Sequence, residues 1–165
     1  MIKFLPIILI FFISSCSVEE IVAQREPYIA TVNGQYMSLS IYMLYLEEQR
    51  NIFEMYAGAD IWETVINGIP TLSLAKEHAL ENMAISMLIR DISTEHDIEI
   101  SNLLLTDEEF FQESIRIREQ LMQILTEPYA QDQREAIFVS MEDTWLLNAQ
   151  IIRNIEVWDE VSIGD

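Results

Sequence analysis

Apolar residues recur at intervals of three, four and seven along most of this chain, and the breaks between those runs mark its elements. Near the start, Tyr28-Ile29-Ala30-Thr31-Val32 is β-prone, and Asn33-Gly34 supplies a turn that tolerates positive φ. Ser38 then serves as N-cap for a helix that carries Leu39, Tyr42, Tyr45, Leu46, Phe53 and Tyr56 on one broad face and ends at Gly58. A second helix is predicted from about Leu74 to Glu95, striped by Leu80, Met83, Ala84, Met87, Leu88 and Ile92. His96-Asp97 leads from it into a short extended segment, Ile98–Ser101.

Two later helices have recognisable starts. In Thr106-Asp107-Glu108-Glu109 the threonine and Glu109 can satisfy each other's exposed backbone donors, which is the capping-box arrangement. Phe110, Phe111, Ile115, Met122 and Leu125 follow, up to Pro128. Ser140-Met141-Glu142-Asp143 repeats the idea ahead of Trp145, Leu146, Ala149, Ile152 and Ile155, and a shorter helical piece between Ala130 and Val139 is predicted to connect the two. No glycine or proline falls between Pro70 and Pro128, nor between 129 and 163, and such unpunctuated stretches favour helix. The expected fold class is mainly α with a short N-terminal β-strand and turn, one domain over residues 28–160, with Trp62 and Trp145 at least partly buried.

The first residues have a different character. Met1-Ile2-Lys3 is a basic start, and Phe4 to Ile13 carries no charge, which matches the n-region and apolar h-region of an export signal. The run is too short for a spanning helix, which needs about 20 apolar residues. Ile13-Ser14-Ser15-Cys16 resembles the lipobox of bacterial lipoproteins, in which the cysteine becomes the lipid-bearing first residue of the mature chain. Residues 1–15 then read as a signal peptide and 16–27 as a lipidated tether, against the alternatives of an uncleaved anchor or an ordinary signal with an incidental cysteine. Cys16 is the only cysteine, so no internal disulfide and no cysteine-rich metal site is open to it. The implied location is extracytoplasmic, held to the cell membrane by lipid.

Charge narrows the partners. Lys+Arg number 9 against 28 Asp+Glu, a net charge of −19 that disfavours nucleic acid and anionic lipid surfaces. Half of the residues are hydrophobic, so this acidity does not signal disorder. Enzymatic chemistry is not advertised. His78, beside Glu77 and Glu81, lacks the second histidine of an H-E-x-x-H site and reads as a helix-face residue. The acidic triplet at Asp107 complements a helix N-terminus, and the adjacent pairs Glu19-Glu20 and Glu47-Glu48 point in different directions on a helix. There is no phosphate-binding loop, CxxC or G-x-S-x-G, and no cofactor is implied. Methionines occur in each of the four main predicted helices; they fill a core or, being flexible, line a surface for varied apolar partners.

Several of these stretches together resemble one family. Ile29-Ala30-Thr31-Val32-Asn33-Gly34, followed by a cap and an aromatic-bearing helix, is similar to the opening of the SurA and PrsA foldase chaperone domains. The likeness continues through Ile61-Trp62-Glu63-Thr64, Asn67-Gly68 and Ala75-Lys76-Glu77-His78-Ala79-Leu80-Glu81. Glu95-His96-Asp97-Ile98-Glu99-Ile100-Ser101 matches the family's exit from that helix, with Asp97 where a glycine is usual, and Ser140-Met141-Glu142-Asp143-Thr144-Trp145 resembles a later segment. The resemblance implies a SurA N-terminal-like helical domain that binds apolar segments of unfolded exported polypeptides without ATP. Tyr42, Tyr45, Phe53, Met83 and Met87, on the two helices that bear the likeness, are the candidate client-facing or groove-forming residues. Relatives often add a parvulin prolyl-isomerase domain with paired histidines, but the two histidines here, His78 and His96, both fall in the second-helix region and no glycine-rich β stretch follows Ser101. Isomerase activity is therefore the weaker alternative, and a structural or regulatory lipoprotein with one dedicated partner is the other.

Anchoring is directly testable. Cys16→Ser is expected to leave the protein unprocessed or to release it from the membrane, and intact-mass analysis of the membrane-bound form should show lipid on Cys16 with residues 1–15 missing.

Overall fold

The structure is a computed structural model that describes residues 27–101 and 106–163. Cys16 and the leader lie outside the described residues. The fold is mainly α, as the periodicity predicts, with a small sheet attached. Strand β1 (Tyr28–Val32) turns back through Asn33-Gly34 into β2 (Gln35–Ser38). Both turn residues have positive φ, 49° and 83°, the condition for a two-residue hairpin whose twist matches its strands. A register shift near Tyr28 and Ala30 places both Ile29 and Ala30 in the interior.

Helix α1 (Leu39–Ala57) starts directly from β2. Ser38 occupies the cap position, yet its hydroxyl meets Ser40 instead of the helix end, and the Leu39 N–H is satisfied by the Pro27 carbonyl at 2.9 Å. Gly58 closes α1 with φ 79°. A helical turn at Ala59–Glu63 follows, then a second Asn-Gly hairpin, β3 (Val65–Ile66) and β4 (Ile69–Pro70), clasped at its base by Thr64 and Thr71.

Helix α2 (Thr71–Ser93) begins three residues before the expected Leu74, directly after Pro70, which closes the hairpin and cannot continue a strand ladder as a donor. It continues into a tighter helical turn, Thr94–His96, that ends in a left-handed cap: Asp97 has φ 54° and the Ile98 N–H reaches back to the Ser93 carbonyl at 3.2 Å. The residue type departs from the glycine of the resembling family, but aspartate tolerates this conformation better than most side chains. Ile98 is buried and Ile98–Ser101 pairs with neither sheet.

Helix α3 (Asp107–Leu125) carries the expected capping box: the Glu109 N–H donates to Thr106 Oγ1 at 3.3 Å and the Thr106 N–H to Glu109 Oε2 at 2.8 Å. The last third of the chain differs from expectation. One helix, α4 (Arg134–Asn148), replaces the connecting piece and the helix capped at Ser140, which sits in its interior. Nothing between 134 and 148 breaks a helix, so the cap-like residues are absorbed into it. Ile152 and Ile155 are not part of its stripe: β5 (Ile151–Arg153) is a strand, and α5 (Ile155–Glu160) a short terminal helix.

The sheet order is β2-β1-β5, with both pairs antiparallel, so the N-terminal strand is central and the C-terminal strand lies on its margin. One core cluster lies under β1 and between α1 and α2, with Ile29, Val32, Met37, Tyr42, Leu46 and Met83 sealed inside. Ala75, Ala79 and Ala84 are fully buried on α2 and permit close approach of its neighbours. The second cluster joins Ile89 of α2, Ile98, Ile117 and Leu121 of α3, and Phe138 of α4. Trp145 packs against both clusters, and Trp62 is also half-buried, against Phe53. Tyr56, expected on the α1 stripe, is instead 81% exposed at the helix end.

Phe138 is fully buried, edge-on to Trp145 at 5.7 Å, with the Arg118 guanidinium over its ring. Phe138→Ala is expected to lower unfolding free energy by about 3–5 kcal/mol, whereas Leu147→Ala, at an exposed position, should stay within about 0.5 kcal/mol. Urea unfolding followed by tryptophan fluorescence and by circular dichroism checks both values, and the two signals should give one coincident transition.

Candidate functional site

Of the five residues expected to face a client, three are consumed by the core. Tyr42 is fully buried, tilted against Trp158, and donates its hydroxyl to the Lys76 carbonyl at 3.2 Å. Burial pushes its phenol pKa up, with the Glu77 carboxylate adding to the effect. Tyr45 packs edge-on to Phe111 at 4.9 Å and donates to Ser86 Oγ at 2.8 Å, and Met83 is sealed beneath α1. The reason is geometric: α1 is covered by the sheet, α2 and α3, so a single apolar stripe is used up on all of them. Phe53 is half-buried between Trp62 and His78, and Met87 is half-buried at the mouth of a hollow of about 270 Å³ beside β2. The structure therefore does not bring these five side chains together into one exposed surface.

A different place is open. Beside β5 lies a hollow of about 520 Å³, lined by Leu80 from α2, Leu146 from α4, and Ile151, Ile152 and Ile155. Ile152 and Ile155 are 56% and 60% exposed, more than a core-facing isoleucine ever is. Glu77 and Glu81 from α2 form its acidic rim, and Glu77 pairs with Arg153. The sequence signal for this site is Ile152 and Ile155, which also fit the apolar stripe of a helix starting near Ser140.

Three contacts fix the strand that carries it. The Asn33 side chain accepts from the Gln150 N–H at 2.9 Å, the Asn33 N–H donates to the Gln150 carbonyl at 2.9 Å, and Asn154 Nδ2 donates to the Tyr28 carbonyl at 3.1 Å. Beyond it, α5 is held down by Lys76, whose buried ammonium donates to the Trp158 and Val161 carbonyls and lies 4.7 Å from the centre of the Trp158 ring. Burial pulls the Lys76 pKa down, while the Asp159 and Glu77 carboxylates hold it up. Arg153 stacks on the same indole.

Elsewhere the polar groups are engaged with one another. In the hollow between α1, α2, α3 and α4, Arg118 makes a two-pronged pair with buried Glu142, at 2.7 and 2.8 Å. The Glu48 carboxyl at the same hollow is pushed up by burial. Arg90 bridges to Glu113 at 2.8 Å; burial raises that carboxyl, but Arg90 and the Ser101 N–H outweigh it and hold it low. Among the described residues no three His, Cys, Asp or Glu side chains are grouped to hold a metal, and no helix is long and apolar enough to cross a membrane.

Replacing Lys76 by methionine keeps the apolar stem and removes the donor. Lys76→Met is expected to cost about 1.5–3 kcal/mol, the range for hydrogen bonds from a charged group. Hydrogen exchange should then show faster exchange over 155–163 with α3 and α4 unchanged. Comparison with known proteins yields no matching family model, and neither a curated protein nor a solved structure matches the chain.

Proposed function

We propose that this protein is a membrane-tethered, extracytoplasmic binder of unfolded polypeptides, acting without ATP on apolar segments exposed by exported clients. The observation that carries this reading is the hollow beside β5, where exposed Ile152 and Ile155 meet half-buried Leu146 and buried Leu80 over about 520 Å³. Apolar surface left in water forfeits about 25 cal/mol per Å², so a client that covers it recovers that amount before paying the entropy of ordering. The order of motifs that resemble those of SurA and PrsA foldase domains supports the same reading, and so does the lipobox-like leader, which would station the domain where exported chains emerge. The acidic body favours basic or neutral segments and keeps the domain off anionic lipid.

The chain from Ser17 onward should slow aggregation of several unrelated unfolded proteins at near-stoichiometric ratios, with no added nucleotide and no acceleration of prolyl isomerisation. Ile155→Gln should weaken this holding activity while shifting stability by no more than about 0.5–1 kcal/mol, as for other surface changes. Light scattering and urea unfolding on the same preparations separate the two effects. A folded, monodisperse protein that protects none of the clients would instead be serving one dedicated partner.

A further inference from the structure

Resting on the client-binding reading above, the backbone of β5 adds a mode of binding and a class of segment. In an antiparallel pair, residues opposite each other alternate between exchanging hydrogen bonds and not. The register sets Val32 opposite Ile151, Thr31 opposite Ile152 and Ala30 opposite Arg153. The Asn33 N–H donates to Gln150 and the Asn154 N–H to Ile29, each at 2.9 Å, so the bonded positions on the C-terminal segment are 150, 152 and 154. The N–H and C=O groups of Ile151 and Arg153 therefore point away from β1. They stand about 7 Å apart, the repeat of two strand residues, and among the described residues no further strand covers them.

The hollow follows this same line. It touches Ile151 and Arg153, whose side chains share one face of the strand, and also Ile152, which lies on the other. A cavity lined by both faces runs along the strand's margin, where an added strand would lie. An open edge of this kind is a template for pairing, and natural proteins usually blunt it with charge or cover. Here the charges that line the hollow are Glu77, Glu81 and Arg153, a net excess of one carboxylate. Glu77 is already paired with Arg153, while Glu81 makes no ion pair among the described residues.

We infer that β5 accepts an extended client segment as a fourth strand of the sheet, and that the favoured segment alternates apolar residues with Lys or Arg. Main-chain hydrogen bonds to Ile151 and Arg153 supply sequence-tolerant affinity, and the hollow and Glu81 select the side chains. A second copy of this chain is the poorer occupant. Pairing two β5 edges would bring two acidic rims together on bodies that each carry a net charge of −19, over a strand of only 3 residues.

The test uses the full chain and a fluorescent peptide of about seven residues, the length of an ordinary strand, alternating valine with lysine. Ile151→Pro removes the outward N–H, which β1 does not use, and proline is tolerated where a strand's N–H faces outward. Ile151→Val has a side chain of similar size and keeps that N–H. Fluorescence anisotropy should show Ile151→Pro binding about tenfold more weakly than Ile151→Val, the equivalent of about one hydrogen bond and its desolvation. The same peptide with every amide N-methylated should lose binding to the unaltered protein, which decides the matter even if the proline variant fails to fold. A peptide with glutamate in place of lysine should bind weakly, and Glu81→Lys should narrow that difference. Equal binding by the proline and valine variants, or undiminished binding of the methylated peptide, overturns strand addition while leaving client holding intact. Loss of aggregation suppression in the unaltered protein would instead remove the client-binding reading itself. A concentration-dependent dimer abolished by Ile151→Pro would overturn the proposal in favour of self-pairing.

Discussion

The antiparallel ladder between β1 and β5 is the constraint on which the rest of the arrangement depends. It joins segments 117 positions apart, and Asn33 takes part twice, once through its backbone N–H and once through its side chain. Because Asn33 also holds the left-handed turn of the first hairpin, the geometry that folds β1 back onto β2 also sets the docking point for Gln150. Closing so long a loop is costly in chain entropy, but the cost grows only slowly with length, and the packed C-terminal segment offsets it. Val157, Trp158, Val161 and Ile163 all pack onto the first core cluster once β5 is in place.

That closure decides where apolar surface is left over. Among the described residues the sheet has three strands, and a hollow borders each margin, one lined by Met87 and the other by Ile152. Helix α2 is used differently, because it lies between both core clusters and its stripe is divided among α1, α3 and α4. The methionines separate in the same way: Met37 and Met83 are sealed inside, while Met43 and Met55 are exposed. Flexible thioethers are therefore filling the interior as much as decorating the surface.

Lys76 shows how a charged residue can serve this architecture. Its ammonium is buried, yet it meets two carbonyl groups near the end of α5 and the face of Trp158, so its donors are not wasted. A cation at a helix C-terminus also complements the partial negative charge there. With Arg153 on the same indole and Glu77 pairing Arg153, one small polar network fastens the terminal helix and shapes the acidic rim of the neighbouring hollow. In the lower dielectric of a half-buried site such a chain of contacts is stronger than its members would be in water.

The helices α1, α2 and α3, the first Asn-Gly turn and the Thr106–Glu109 capping box were all determined by sequence alone, because caps, turns and stripes act within a few residues of one another. So was the mainly α class. Ser140 imitates a cap without being one, since a helix already running from Arg134 has no reason to restart. Whether Tyr42 and Met83 line a groove or a core was not legible, because the same apolar chemistry suits both and only the number of packed neighbours distinguishes them. Ile152 is equally ambiguous between helix stripe and strand. Tertiary structure decided it by offering the free edge of β1, a partner from the far end of the chain that no local pattern can announce.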